Sequence, residues 1–217
     1  MTQRRGLFVT LDGPSGVGKS TTIEALRAEL AGQGIPVRPT AEPSHSKLGT
    51  FTRQNANGIH GRALACLVTA DRYAHIEHEV RPSLQAGDTV ICDRYVASTL
   101  VLQRLDDVPL EFLLALNADM LMPDLAVILT APPGLIAHRI AERGVRHRFH
   151  LDPTAPGREI DLYAEAAHIL TARSVNVLVV DTNRVTPSDV ASTIANALPD
   201  PPIPSAISPN PTASQEP

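Results

Sequence analysis

The sequence predicts an α/β fold in which a parallel sheet of five strands is covered by helices on both faces. Short apolar runs alternate with longer helical patterns along the chain, which is typical of parallel strands joined by crossover helices. The runs are apolar at nearly every position, as expected for strands that are buried on both sides. We predict strands at Leu7–Leu11, Val37–Thr40, Thr89–Cys92, Leu125–Thr130 and Asn176–Val180.

Helices are predicted between these strands and after the last one. Pro133 and Pro187 stand at the starts of two of them, where the first turn tolerates proline because its N–H groups have no intrahelical partner. The predicted helices are Lys19–Gln33, Arg62–Gln85, Ala97–Arg104, Leu110–Ala118, Pro133–Glu142, Ile160–Arg173 and Pro187–Ala197.

The composition is typical of one globular domain followed by a short tail. The chain has 217 residues, of which 43% are hydrophobic, and its formal net charge is −4. We expect one domain over residues 1–198 and a disordered tail over residues 199–217, because the tail is rich in proline and offers little to a core. The mildly acidic balance provides no basic stripe, so no nucleic-acid partner is expected.

The sequence also carries information on location. No apolar run approaches the ~20 residues that a membrane span needs, and the first residues lack the pattern of a secretory signal. Cys66 and Cys92 lie in apolar sequence without metal-ligand spacing, which suits reduced thiols. We therefore expect a cytoplasmic protein without a membrane partner.

The strongest motif is GPSGVGKS, Gly13 to Ser20, which matches G-x-x-x-x-G-K-[ST] between a predicted strand and a predicted helix. Its glycines allow successive backbone N–H groups to point inward, and the positive end of the helix dipole closes this anion site. Lys19 opposes that dipole by roughly 0.3–1 kcal/mol, which makes sense if its ammonium reaches β- and γ-phosphates. The motif predicts a three-layer α/β/α fold of the P-loop NTPase type. The expected nucleotide contacts are Gly13, Ser15, Gly16, Val17, Gly18, Lys19, Ser20 and Thr21.

Other motifs narrow the reaction. A GTPase would carry N-K-x-D after a late strand, whereas this chain has DTNR, Asp181 to Arg184, and no transporter signature is present. A small phosphotransferase remains. Asp93 ends the third predicted strand, where it could hold Mg²⁺ together with Ser20, and Arg94 has the planar fork that suits an acceptor phosphate.

Several segments, in the same order along the chain, resemble the thymidylate kinase family. FVTLDGPSGVGKSTT is similar to the phosphate loop of that family, and the likeness extends from Leu7 to about Ala197. The resemblance implies a P-loop kinase fold, ATP and Mg²⁺, a nucleoside monophosphate acceptor, and a homodimer formed through the long helices. The other similar segments are AEPSHSKLG at Ala41–Gly49, TADR at Thr69–Arg72, DRYVASTLVLQ at Asp93–Gln103 and PDLAVILTAPPGLIAHRIAERG at Pro123–Gly144.

The resemblance also implies roles for individual residues. Arg72 and Gln103 would face the polar edge of the base, and Arg94 would bind the acceptor phosphate. Glu42 and Asp93 would organise Mg²⁺ and the transferred phosphoryl group. The expected acceptor-side residues are Asp12, Glu42, Val68, Arg72, Arg94, Ser98, Leu102 and Gln103.

An arginine-rich lid is expected at about residues 139–158. Its core is RIAERGVRHRFH, Arg139 to His150. Position 16 is glycine, where some family members place an arginine, so the charge that develops during transfer must be met from elsewhere. The expected catalytic residues are Lys19, Asp93, Arg94, Arg143, Arg146 and Arg148.

The departures from the family fall on the acceptor side. Ser15 stands where the family usually has an aspartate that contacts the sugar, Val68 replaces a stacking phenylalanine, Leu102 replaces a tyrosine, and Ala41 replaces an arginine. One lost aromatic stack weakens base binding by roughly 1–3 kcal/mol. Three functions therefore stay open: phosphorylation of dTMP, the same transfer onto a modified nucleotide, nucleoside or nucleoside-like metabolite, and nucleotide binding without catalysis in a regulatory module.

Overall fold

The sheet has five parallel strands in the order β2-β3-β1-β4-β5. The structure is a computed structural model that describes residues 5–143 and 155–200. Each observed strand bound lies within about one residue of the predicted one, so the predicted sheet is confirmed. The strands are β1 Phe8–Asp12, β2 Val37–Ala41, β3 Thr89–Asp93, β4 Leu125–Thr130 and β5 Val177–Asp181.

Both faces of the sheet are buried, which gives the three layers that the apolar runs predicted. In β1 the side chain of Phe8 packs into one hydrophobic core, whereas those of Val9 and Leu11 pack into the other, and all three are 0% exposed. Successive residues of a strand point to opposite faces, so an apolar run of this kind feeds two cores at once. The central strand is therefore fixed from both sides, and the loop that follows it starts from a rigid point.

Nine helices lie in the described part of the chain. Helices α1 and α9 pack against each other on one face of the sheet, and α5 and α8 pack together on the other. The helices are α1 Lys19–Gly32, α2 Lys47–Asn55, α3 Gly61–His75, α4 Arg81–Ala86, α5 Val96–Leu102, α6 Leu110–Leu116, α7 Pro133–Arg143, α8 Ala155–Ala172 and α9 Pro187–Asn196.

Two helix predictions need correction. Helix α2 was not predicted, because Gly49, Thr50 and Thr52 are poor helix formers; its start is stabilised by Ser46, whose side chain accepts a hydrogen bond from the backbone of Gly49. Helix α8 begins at Ala155 rather than at Ile160, because Pro156 occupies its first turn, where proline is tolerated.

The predicted helix Arg62–Gln85 is continuous but not uniform. A π-helical turn at Ile76–Val80 separates α3 from α4. Pro82 follows at the start of α4, and a proline inside a helix removes one backbone donor and clashes with the carbonyl four residues earlier. A wider turn just before the proline relieves that clash.

The strand order brings the ends of β1 and β3 together. Leu11 of β1 is in register with Asp93 of β3, so the loop after β1 lies beside the residues after β3. The chain leaves β1 toward β2 and β3 on one side and later returns to β4 on the other. Ligands of open α/β sheets bind at such a switch point, outside the carboxyl ends of the strands. Among the described residues, no helix is long and apolar enough to cross a membrane.

Candidate active site

The segment from Gly13 to Ser20 forms a concave loop between β1 and α1. Gly13, Gly16 and Gly18 have φ values of 143°, 81° and 112°, which side-chain-bearing residues rarely adopt. A Cβ at Gly13 would also meet the carbonyl oxygen of Leu129 at 2.4 Å. Glycine is therefore required here for both torsion and space. Val17 is fully buried and anchors the loop in the core, whereas Ser20 and Thr21 are exposed at its mouth.

Lys19 opens α1 and folds back onto the loop. Its ammonium donates hydrogen bonds to the carbonyl oxygens of Gly13 at 2.9 Å and Pro14 at 3.0 Å, and the side chain is 7% exposed. Burial, and next the neighbouring Arg94, lower the pKa of Lys19 to about 7. The first turn of α1 contains no acidic residue. The cation thus lacks a carboxylate partner in its own helical turn and lies at an anion site.

Ser20 and Asp93 lie together at the mouth of the loop. The hydroxyl of Ser20 donates to Asp93 Oδ2 at 3.4 Å. Within the described residues, Asp93 Oδ1 is buried without a hydrogen-bond partner. A hydroxyl and a carboxylate with an unused oxygen are the hard oxygen ligands that Mg²⁺ prefers, so the two residues fit this ion. They are the pair that the sequence suggested.

Arg94 is held over the same loop in a left-handed conformation, with φ 71°. Its guanidinium donates to Ser98 Oγ at 3.3 Å, to the Tyr163 hydroxyl at 3.3 Å and to Ser15 Oγ at 3.4 Å. These neutral partners orient the guanidinium while leaving its charge free for an anion. Arg94 therefore lies between the phosphate loop and the acceptor pocket, and its expected contact with an acceptor phosphate stays a prediction.

A cavity of about 300 Å³ opens beside Arg94 and forms the acceptor pocket. Leu64, Val68 and Leu102 supply an apolar wall, and Gln103 adds a polar group to it. Gln103 Oε1 is buried without a hydrogen-bond partner among the described residues. No aromatic side chain is among the described residues of this wall. The remaining lining residues are Ser15, Glu42, Pro43, Thr52, Arg53, Ala56, Asn57 and Glu159.

Arg72, which the resemblance places against the base, is not among the residues that line the acceptor pocket. Its guanidinium is 1% exposed and donates to Glu42 at 2.5 Å, to Asn117 Oδ1 at 2.7 Å and to Thr99 Oγ1 at 2.9 Å. The base contact was implied by the resemblance and stays a prediction, whereas the contacts observed here are with these three buried neighbours. Arg72 therefore supports the pocket from behind.

Glu42 is likewise committed to protein partners. One carboxylate oxygen accepts from Arg72, and the other lies 3.2 Å from His75 Nδ1. The side chain also reaches the pocket wall. The expected metal-organising role of Glu42 stays a prediction.

The loop after Glu42 is tied to α3 by Asp71. The carboxylate of Asp71 accepts hydrogen bonds from the backbone and the hydroxyl of Ser44, both at 2.6 Å, and from the hydroxyl of Ser46 at 3.0 Å. Asp71 is fully buried. Asp71 and Arg72, the two charged residues of TADR, are neighbours on α3. Together they hold one wall of the acceptor pocket in place.

Asp12 and Ser98, both expected to bind the acceptor, are also supporting residues. Asp12 Oδ1 accepts from the backbone amides of Tyr95 and Ser98, both at 2.9 Å, and from Ser98 Oγ at 2.6 Å. Neither lies among the residues lining the acceptor pocket. Burial raises the pKa of Asp12, although the hydrogen bonds from Ser98 and Tyr95 oppose the rise. Asp12 fixes the start of α5 and thereby the position of Arg94.

A second cavity, of about 230 Å³, lies on the other side of the phosphate loop. Arg139 of α7 donates to the carbonyl oxygens of Gly16 at 3.3 Å and Val17 at 3.4 Å, and Thr182 donates to that of Val17 at 3.0 Å. Val185 and Val190 add apolar surface. The cavity adjoins the loop where the nucleoside part of a bound nucleotide would continue.

Sequence reasoning missed Arg53, Thr182, Glu159 and Tyr163. Arg53 is on α2, which was not predicted. Glu159 precedes the predicted start of α8, and the proline in the first turn of this helix was the signal that could have indicated its true start. Arg143 is the last residue of α7, but its side chain and the expected lid residues Arg146 and Arg148 lie outside the described residues.

A glycine-rich loop that caps a helix after the central strand of a parallel sheet, with a lysine at the helix start, defines a nucleotide-binding protein of the P-loop NTPase type. Comparison with known proteins gives the family. The family model for thymidylate kinase matches residues 11–186. The chain therefore belongs to the thymidylate kinase family.

Individual relatives agree with this assignment. A probable thymidylate kinase of Caldivirga maquilingensis is 34% identical over 185 residues, which cover 82% of this chain and 87% of that protein. A thymidylate kinase of Deinococcus radiodurans is 35% identical over 189 residues, covering 83% and 90%. A thymidylate kinase of Bifidobacterium longum is 39% identical over 147 residues, covering 62% and 71%.

Proposed function

We propose that the protein transfers the γ-phosphoryl group of ATP to dTMP, giving dTDP and ADP. Family membership makes it an ATP-dependent nucleoside monophosphate kinase. The observation that carries the proposal is the position of Arg94, whose guanidinium bridges the phosphate loop and the acceptor pocket. It contacts Ser15 of the loop, and it also lines the pocket. Two phosphates bound at these two sites would meet at this cation.

The reaction needs alignment and charge neutralisation more than covalent chemistry by the protein. The loop amides and Lys19 would bind the donor phosphates, and Arg94 would bind the acceptor phosphate. An acceptor oxygen then attacks the γ-phosphorus as the bond to the β–γ bridging oxygen breaks. Lys19 exchanges its two carbonyl partners for phosphate oxygens, which places positive charge where negative charge develops.

Ser20 and Asp93 would hold Mg²⁺ at the mouth of the loop. The ion, when bound, neutralises charge on the β- and γ-phosphates. Arg143, Arg146 and Arg148 remain proposed lid residues that meet the transferred group. The cavity with Arg139 and Thr182 is the proposed site of the donor nucleoside.

A different acceptor is the second candidate, and one observation favours it. The apolar wall of the acceptor pocket consists of aliphatic side chains, Leu64, Val68 and Leu102, so a pyrimidine ring would have no aromatic ring to stack on there. A modified nucleotide, a nucleoside or a nucleoside-like metabolite with a bulkier apolar part would fill this wall better. The chemistry at Lys19 and Arg94 would be unchanged.

An ADP-release assay with MgATP tests both candidates. The acceptors are dTMP, dUMP, dCMP, dGMP, CMP, thymidine and several nucleoside antibiotics. We expect turnover of dTMP at the highest kcat/KM; a higher value for another acceptor would favour the second candidate. ATP binding without ADP release from any acceptor would instead indicate a regulatory module.

We also propose a homodimer formed through α3. One face of this helix exposes Ala63, Cys66, Ala70 and Tyr73, at helical spacing and with no charged side chain among these four. Sedimentation should give twice the monomer mass, and oxidation should cross-link Cys66 between subunits if the two helices pack face to face. A monomer at micromolar concentration would contradict the proposal. The expected cytoplasmic location stays a prediction.

A further inference from the structure

Helix α8 places the side chains of Glu159 and Tyr163 close to Arg94. Neither side chain belongs to the phosphate loop. Glu159 and Tyr163 are one helical turn apart and share one face of the helix. Glu159 is 6% exposed and Tyr163 is 2% exposed. The Tyr163 hydroxyl lies 3.3 Å from an Arg94 nitrogen and 3.0 Å from Ser98 Oγ. Tyr163 therefore orients Arg94, which leaves the role of the carboxylate to be explained.

Glu159 lies close to both the phosphate loop and the acceptor pocket. Its carboxylate lies near the backbone amide of Ser15 in the phosphate loop, and the side chain lines the acceptor pocket. Arg94 and Lys19 are near enough to lower its pKa, but burial has the larger effect and raises the pKa overall. A buried carboxylate is costly unless its oxygens accept hydrogen bonds, so a ligand in the pocket that donates a hydrogen bond would stabilise this group.

The chemistry around Glu159 limits what that donor can be. A phosphate would be repelled by the carboxylate and has its cation in Arg94. The base would lie against the apolar wall of Leu64, Val68 and Leu102, with Gln103 for its polar atoms. What lies between the phosphate and the base of a nucleotide is the sugar, and dTMP has a single sugar hydroxyl, at the 3′ position.

We propose that Glu159 accepts a hydrogen bond from the 3′-hydroxyl of the acceptor and so selects acceptors that carry this group. The inference rests on the proposed function and adds a specificity-determining residue on α8 to it. Burial already confines the Glu159 side chain, so little side-chain freedom is lost when the substrate hydroxyl binds.

The test compares dTMP with its 3′-deoxy analogue in wild-type protein, Glu159→Ala and Glu159→Gln. In the wild type, we expect loss of the hydroxyl to lower kcat/KM by about 10- to 100-fold, the range for a hydrogen bond to a charged group. In Glu159→Ala the ratio of kcat/KM for dTMP to kcat/KM for the 3′-deoxy analogue should fall to about one- to threefold, because the partner of the hydroxyl is gone. Glu159→Gln keeps a neutral acceptor and should give an intermediate ratio.

Glu165 supplies the matched control. It is on the same helix, its side chain is 55% exposed, and it pairs with Arg104 rather than facing the pocket. Glu165→Ala and Glu165→Gln should keep the wild-type ratio. Thermal unfolding of all variants separates a loss of fold from a loss of contact, and the nearly isosteric Glu159→Gln keeps the test informative if Glu159→Ala is unstable.

The outcomes distinguish a failure of the role proposed for Glu159 from a failure of the proposed function. If wild-type protein phosphorylates dTMP but Glu159→Ala lowers kcat/KM equally for both substrates, the role of Glu159 is overturned and the proposed function stands. An unchanged ratio with a raised Mg²⁺ requirement would place the carboxylate at the metal and overturn it likewise. If wild-type protein does not phosphorylate dTMP, the proposed function fails and this inference fails with it.

Discussion

The pKa of Lys19 leads to a quantitative prediction about ATP binding. In the free protein this pKa is lowered to about 7, so at pH 8 roughly 90% of the lysine is neutral. Phosphate oxygens favour the charged form and would return the pKa toward its ordinary value of about 10.4. ATP binding at pH 8 should therefore take up about 0.9 proton, and at pH 6 about 0.1.

The direction in which pH changes the affinity for ATP follows from the same difference in the pKa of Lys19 between the free and the bound protein. The free-state pKa is below the bound-state pKa, so affinity is full below pH 7 and falls as the pH rises between the two values. The expected loss is about fivefold from pH 7 to pH 8 and about tenfold for the next unit, or roughly 1–1.4 kcal/mol per unit. Protonation of ATP does not confuse the result at pH 8, because a terminal phosphate has a second pKa of about 6.

Calorimetry measures this proton uptake directly. ATP and Mg²⁺ are titrated into the protein without acceptor at pH 8, in two buffers of different ionisation heat, and the difference in observed heat gives the protons taken up. Lys19→Met should take up no protons. Its affinity for ATP should be weaker than that of the wild type and should not change with pH above 7. Lys47, the other lysine of the chain, is exposed at the start of α2, so Lys47→Met is the control. No proton uptake by the wild type would refute the assignment of Lys19 to the phosphates.

Three further predictions concern the acceptor side. Arg94→Ala should lower kcat/KM for dTMP by roughly 100-fold or more, with KM and kcat both affected, and leave the calorimetric Kd for ATP unchanged at pH 6, where Lys19 is already charged; a weakened Kd would place Arg94 on the donor side. Val68→Phe should raise kcat/KM for dTMP by about 5- to 100-fold by restoring a stacking surface, and no gain would mean that the pocket suits another acceptor. Arg72→Met should destabilise the fold by about 3–5 kcal/mol in urea unfolding, because the buried Glu42 loses its arginine and keeps only His75 as a partner, and replacing Glu42 by Gln as well should recover part of the loss. A loss under about 1 kcal/mol would show that Arg72 is free to bind substrate.

The parallel sheet and the donor half of the site could be predicted from the sequence, because both depend on local signals. Doubly buried strands are continuous apolar runs, and the phosphate loop needs its glycines and lysine at fixed spacing. Gly13 shows why this spacing is informative, since both its torsion and the nearby Leu129 carbonyl exclude a side chain. The residue types that the strands and the phosphate loop need can therefore be recognised directly in the sequence.

The acceptor half depends on tertiary placement, which leaves weaker signals. Arg53 and Glu159 reach the pocket only through the positions of α2 and α8, and neither belongs to a local motif. Arg72 shows the converse. Its segment TADR resembles one that reads a base, but its contacts with Glu42, Thr99 and Asn117 come from segments far along the chain.

Helix α3 has different duties on its two sides. Asp71 and Arg72 hold the loop that forms one wall of the acceptor pocket, whereas Cys66 and Tyr73 lie on the face proposed to meet a second subunit. In such a dimer a small rotation of this one helix would reposition the pocket wall and the subunit contact at the same time. Occupancy of one acceptor pocket would then be communicated to the neighbouring copy, and substrate saturation would deviate from a simple hyperbola.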